Sequence, residues 1–189
     1  MHLEFLMQSH ADYRIIDKTD ADVLVLAGDI HNRTKAIEAF RDWPVPVVYV
    51  HGNHEFYGQN LLKVQDALRV TAAGTNVHYL ENDEYVLNGV RFLGCCLWTD
   101  YELTGDRPGA MFEARYGMRD HEVIRVADGK RFMPSHALAL HKQSRKWLAQ
   151  KNWMSRFLVK RWLSPTMGHI PPRSTKKICR QPCEPGILQ

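Results

Sequence analysis

The sequence lacks a long apolar run and a recognisable targeting segment. None of its 189 residues fall in an uninterrupted apolar stretch of about eighteen, the length that indicates a membrane-spanning helix. The first ten residues, MHLEFLMQSH, have neither the basic nor the apolar region of a signal peptide. We therefore expect a cytoplasmic protein with no membrane partner.

Cysteine is also scarce, with four residues in the chain. Cys95 and Cys96 are adjacent in an apolar segment, and adjacent strand residues point to opposite faces, so we expect them to be small buried side chains. Cys179 and Cys183 have a spacing that zinc can use, but no second pair completes four ligands. We do not expect a zinc site there.

Acidic residues are almost absent from the end of the chain. Residues 151–189 contain eight Lys or Arg and one acid, a net charge of +7, whereas residues 1–150 carry −3. Five of the nine prolines lie in this tail, which has no sustained helical or strand period. We divide the chain into a domain, 1–150, and a poorly ordered basic tail, 151–189. One interpretation of such a tail is a nucleic-acid-binding arm, but we do not expect nucleic acid as a partner.

Two apolar, β-branched segments carry the main functional signal. VLVLA at 23–27 and VVYV at 47–50 predict buried parallel strands, and a helix at about 34–42 connects them. Asp29 follows the first strand, and Asn53 and His54 follow the second. The carboxyl ends of parallel strands meet at one edge of a sheet, where sites are commonly built. Oxygen and nitrogen ligands there suit Mn, Fe or Zn.

The remaining pattern predicts an α/β fold of one domain. Asn88 and Gly89 form the strongest two-residue hairpin signal. Residues 101–133 contain scattered Gly and Pro around one possible helix, so we interpret them as a long insertion over the sheet. The other predicted elements are a helix at 61–73 with an apolar stripe of Leu61, Leu62, Val64, Leu68 and Val70, strands at 77–80, 85–87 and 90–97, and a helix at 135–150 capped by Ser135.

The segments AGDIHN and GNHE, in this order and strand context, resemble the second and third motifs of the calcineurin-like metallophosphoesterases. The resemblance covers about the first hundred residues. It implies a calcineurin-like sandwich of mixed β-sheets flanked by helices, incomplete in this chain. It also implies hydrolysis of a phosphate monoester or diester at a site with two divalent metal ions, with Mn, Fe or Zn as the candidate ions. A phosphate ester is then the expected partner.

The resemblance also assigns roles to the motif residues. Asp29 would bridge the two metals, Asn53 would bind the second metal through its amide oxygen, and His54 would protonate or hydrogen-bond the leaving oxygen. The alternative for Asp29 is a helix N-cap, and for Asn53 and His54 it is a turn held by side-chain hydrogen bonds. His31 and His51 flank the motifs and either support the ligands or lie on a polar surface.

The two ends of the chain depart from the family pattern. Many relatives have DLHLEF at the end of the first strand, and this chain begins MHLEF, so His2 would be the histidine that binds the first metal. The preceding aspartate and strand would then lie upstream. The fourth and fifth histidine motifs are missing, and a shifted reading frame after about residue 151 would explain this. We expect impaired phosphoesterase activity. The alternatives are an inactive remnant or a binding module that uses the basic tail.

Overall fold

The computed structural model of the chain describes residues 20–152 and 161–163. Its five α-helices in this part of the chain are α1 (Lys35–Phe40), α2 (Leu61–Ala72), α3 (Arg107–Gly117), α4 (Asp120–Val123) and α5 (Pro134–Asn152). Its six strands are β1 (Leu24–Ala27), β2 (Val47–Val50), β3 (Val77–Tyr79), β4 (Asp83–Leu87), β5 (Val90–Gly94) and β6 (Arg161–Leu163). Predicted site residue His2 lies outside the described residues.

The first sheet is parallel and carries the two motif loops at one edge. Its order is β1-β2-β3, with Leu24 opposite Val47 and Val47 opposite Val77. All four residues of β2 are buried, as expected of a central strand covered on both faces. The predicted βαβ unit is confirmed, because β1 and β2 pair in parallel and α1 connects them.

The second sheet is mixed. Strands β4 and β5 pair antiparallel around Asn88 and Gly89, whose φ angles of 48° and 75° are the positive values that a two-residue hairpin turn requires. The predicted hairpin is therefore confirmed. Strand β6 pairs in parallel with β5, so three residues of the basic tail belong to this sheet.

The two faces of the parallel sheet have different partners. Val48 and Val50 pack against Leu80 and Phe92 in a cluster that joins the two sheets. Val47 and Tyr49, which alternate with them, belong to the larger cluster that includes the helices. The predicted fold class, an α/β sandwich of mixed sheets with flanking helices, is confirmed by this arrangement.

Two details differ from the sequence-based expectation. Leu62 and Val70, assigned to the apolar stripe of α2, are 52% and 76% exposed. Helical spacing of 100° per residue explains this, because Leu61, Val64 and Leu68 share a face that Leu62 and Val70 do not. Helix α5 begins at Pro134 rather than after Ser135, with proline in the first turn, where its missing N–H costs nothing.

Candidate active site

Asp29 lies in a tight turn directly after β1. Gly28 and Asp29 both have positive φ angles, 80° and 56°. A left-handed conformation costs a non-glycine residue about 1–2 kcal/mol, although the short polar side chain of Asp tolerates it better than most. The turn places the Asp29 carboxylate against the loop that follows β2.

The Asp29 carboxylate binds the backbone of that second loop. Its Oδ1 accepts hydrogen bonds from the N–H groups of Asn53 at 3.0 Å and His54 at 3.1 Å. A Cβ atom on Gly52 would overlap the Asp29 carboxylate and lie 2.9 Å from its backbone nitrogen. Glycine at position 52 therefore allows the two loops to touch. Within the described part of the chain, Oδ2 of Asp29 accepts no hydrogen bond.

Glu55 holds the same two loops together from inside the protein. It is completely buried. Its Oε1 accepts hydrogen bonds from the Ile30 N–H at 3.0 Å and the Tyr49 hydroxyl at 2.9 Å. Its Oε2 accepts from the Gly52 N–H at 2.9 Å and the Asp29 N–H at 3.3 Å. This carboxylate thus connects β1, β2 and both loops, and it has no route to a substrate.

The electrostatics of Glu55 reflect this position. Burial raises the pKa of Glu55, and the nearby charge of Asp29 raises it further, whereas the hydrogen bond from Ile30 lowers it. A carboxylate in such a place requires its hydrogen bonds, because a buried charge without partners is very costly. Glu55 is therefore a structural residue of the site.

Asn53 is buried and its side-chain NH2 group is fully engaged. Nδ2 donates to Oδ1 of Asp120 at 2.6 Å and to the Tyr57 hydroxyl at 3.3 Å. Asp120, on α4, is itself only 3% exposed. No donor among the described residues bonds to the Asn53 amide oxygen. The site thus contains two side-chain oxygens, one of Asn53 and one of Asp29, that accept no hydrogen bond from the described residues.

His54 is half-buried and lies beside Tyr57. The two rings stack with centroids 4.6 Å apart and an angle of 26° between their planes. Burial raises the pKa of Tyr57, and the neighbouring Asp120 raises it further, so Tyr57 is a neutral phenol. The guanidinium of Arg119 lies over the Tyr57 ring, 5.9 Å from its centroid. His54, Tyr57 and Asn53 thus form one contiguous group at the end of β2.

His51 contacts the start of this loop from the protein interior. It is completely buried, with Nδ1 2.9 Å from the Gly52 carbonyl oxygen and Nε2 3.1 Å from a carboxylate oxygen of Glu81. Burial alone lowers the pKa of His51, but Tyr79 and Glu81 raise it, and the net result is well above the ordinary value. An imidazolium can donate to both acceptors at once. His51 is therefore a buried support and not a polar surface residue.

A model of the calcineurin-like phosphoesterase family matches residues 6–183. The chain belongs to the calcineurin-like phosphoesterase family. No curated protein and no solved structure matches the chain. No helix in the described ranges is long and apolar enough to cross a membrane.

The donor atoms of the site fit the divalent metals that calcineurin-like phosphoesterases generally use. Across residues 20–152 and 161–163, no three His, Cys, Asp or Glu side chains converge as a metal-binding group. Asp29 and Asn53 instead offer a carboxylate oxygen and an amide oxygen, which suit Mn²⁺ and similar hard ions. These two residues would hold the ion in the described part of this family member.

The structure thus brings together the three predicted residues that it describes. Asp29, Asn53 and His54 are joined through hydrogen bonds, and Asp29 does not cap a helix, because α1 begins six residues later at Lys35. Sequence reasoning assigned no role to Glu55, although it is the acid of the GNHE motif. It also missed Asp120, which lies in the insertion and has no motif to identify it.

Proposed function

We propose that this chain hydrolyses phosphate monoesters or diesters in a metal-dependent reaction at the site of Asp29, Asn53 and His54. One observation carries the proposal. Asp29 and Asn53 are neighbours, and each has one side-chain oxygen that accepts no hydrogen bond from the described residues. Membership of the calcineurin-like phosphoesterase family supports the reaction class.

The site residues have distinct tasks in this proposal. Asp29 would bridge two divalent ions of the Mn, Fe or Zn type, Asn53 would hold the second ion, and His2 would contribute to the first. When bound, such ions acidify a water molecule and neutralise charge that develops on the phosphate. His54 donates a proton or a hydrogen bond to the leaving oxygen, which an imidazole does well near neutral pH. Its half-buried ring stacks on Tyr57.

The small number of ligands predicts weak ion binding. The described residues supply one carboxylate and one amide, whereas protein sites that bind divalent ions tightly use more charged ligands. We therefore propose that activity is impaired at micromolar Mn²⁺ and rises steeply as Mn²⁺ increases. A higher Mn²⁺ concentration increases the occupancy of a site that binds the ion weakly, and the bound ion supplies positive charge for the phosphate.

The test is hydrolysis of bis-p-nitrophenyl phosphate and p-nitrophenyl phosphate by the purified protein across a Mn²⁺ titration. Asp29→Asn is the informative variant, because its amide oxygen can still accept the hydrogen bonds from the second loop while Oδ2 is replaced by NH2. We expect it to abolish turnover. Asp66→Asn, on the exposed surface of α2, removes a carboxylate elsewhere and should leave turnover unchanged. Metal-dependent turnover that survives Asp29→Asn, or its absence from the wild-type protein at all Mn²⁺ concentrations, would contradict the proposal.

A further inference from the structure

Asp120 is a buried carboxylate that the motif residues do not explain. It lies on α4, 67 residues after Asn53, and is 3% exposed. Burying a carboxylate is costly unless a cation or several donors compensate it. No Lys, Arg or His side chain of the described residues forms an ion pair with Asp120. Its shortest hydrogen bond goes instead to the amide of Asn53, at 2.6 Å.

That hydrogen bond determines which atom Asn53 presents to the site. An ionised carboxylate only accepts hydrogen bonds, so the NH2 end of the Asn53 amide must face Asp120. The Tyr57 hydroxyl takes the second N–H at 3.3 Å. Rotation of the amide by 180° would place its oxygen against the carboxylate and lose the bond to Asp120, whereas the Tyr57 hydroxyl could donate to that oxygen and so does not fix the orientation. Only the oxygen can bind a cation, because the amide NH2 has no available lone pair.

We propose that Asp120 is a positioning residue that fixes the Asn53 amide with its oxygen free for the metal ion. The inference rests on the proposed function, since it takes Asn53 as a metal ligand. It gives the insertion at 101–133 a role in metal binding.

A purely structural role is the competing explanation. The Asp120–Asn53 bond joins α4 to the loop after β2, so removing it also loosens the fold. A structural role predicts lower stability, with unchanged Mn²⁺ affinity in the molecules that remain folded. A positioning role predicts a loss of affinity that depends on whether residue 53 is an amide, because a carboxylate offers an oxygen to the ion in either orientation.

The experiment therefore measures Mn²⁺ affinity by electron paramagnetic resonance of the free ion, together with thermal unfolding of the metal-free protein. Asp120→Asn permits either orientation of the Asn53 amide. We expect it to weaken Mn²⁺ binding by about 10- to 100-fold, the usual effect of losing a residue that orients a ligand. Glu122→Gln, an exposed charge removal on the same helix, is the matched control and should remain within about twofold of the wild type.

The decisive comparison repeats the substitution in an Asn53→Asp background. There Asp120→Asn should not weaken Mn²⁺ binding, because orientation no longer matters and a repulsive carboxylate pair has been removed. An equal loss in both backgrounds, or a folded Asp120→Asn protein within twofold of the wild type, would overturn the inference alone. Absence of Mn²⁺ binding by the wild-type protein would overturn the proposed function and this inference with it.

A second variant covers the case in which Asp120→Asn does not fold. Asp120→Ala removes the acceptor of the shorter hydrogen bond and introduces no new polar group. A loss of Mn²⁺ affinity that is again confined to the Asn53 background would support the inference. Unchanged affinity in that variant would overturn it.

Discussion

Glu55→Gln tests the interpretation that one buried carboxylate holds the two motif loops together. The substitution conserves size and shape but replaces one acceptor oxygen with an NH2 donor. Each oxygen of Glu55 currently accepts two hydrogen bonds. Whichever oxygen is replaced, the two donors that now bond to it will face the new NH2 group, which is itself a donor.

The expected cost can be derived from the four partners. If NH2 replaces Oε1, the Tyr49 hydroxyl can turn and accept, but the Ile30 N–H loses its partner. If NH2 replaces Oε2, the N–H groups of Gly52 and Asp29 both lose their partners. The first arrangement is cheaper and leaves one buried N–H unsatisfied, at about 1–3 kcal/mol. The weaker bonds to a neutral acceptor add about 1 kcal/mol, for a total of about 2–4 kcal/mol.

The measurement is urea unfolding followed by tryptophan fluorescence, for which the chain has five tryptophans. Glu113→Gln is the matched control, because Glu113 lies exposed on α3 and such surface changes usually alter stability by less than about 0.5 kcal/mol. A loss of stability below about 1 kcal/mol for Glu55→Gln, or one equal to that of the control, would refute the reasoning.

Three further predictions concern the surroundings of the site. Gly52→Ala has no space for its methyl group, so it should lower the free energy of unfolding in urea by about 1–3 kcal/mol. Gly117→Ala, whose methyl group meets no atom within 4 Å, should not lower it, and equal effects of the two substitutions would contradict this reasoning. His51→Gln leaves the Glu81 carboxylate buried without a cation and should cost about 3–5 kcal/mol; a cost near zero would show that the pair does not stabilise the fold. Burial lowers the pKa of His121 below its ordinary value of 6.5, so the unfolded chain binds this proton first as pH falls and stability is lost below about pH 6.5. Urea unfolding at pH 7.5 and 5.5 should show a smaller decrease in His121→Gln, and an unchanged decrease would assign the effect to other groups.

The elements that the sequence predicts well are those specified by local chemistry. Val47–Val50 forms a strand with the predicted bounds, because a β-branched run bounded by Pro and Gly has few alternatives. The Asn88–Gly89 turn is equally local, since few other residue pairs adopt two positive φ angles easily. The closeness of Asp29 and Asn53 follows from topology, because parallel neighbouring strands end at the same edge.

The residues that were missed depend on contacts distant in the sequence. Asp120 lies in an insertion without regular periodicity, and only the folded chain shows that it faces Asn53 across 67 positions. The inward direction of Glu55 is equally invisible in the motif, because an acid beside a histidine suggests a ligand as readily as a support. The left-handed backbone of Asp29 is one that Asp tolerates, but the motif alone does not specify it.

The four hydrogen bonds to Glu55 also affect the thermodynamics of ligand binding. Fixing the backbone of a flexible residue costs about 1–2 kcal/mol, and a loop that becomes ordered only around its ligand loses that amount from the affinity. Here the loops after β1 and β2 are tied to an internal carboxylate, so their order does not depend on an ion or a phosphate. None of the free energy of a ligand's contacts is therefore lost in ordering these loops. This partly offsets the small number of metal ligands.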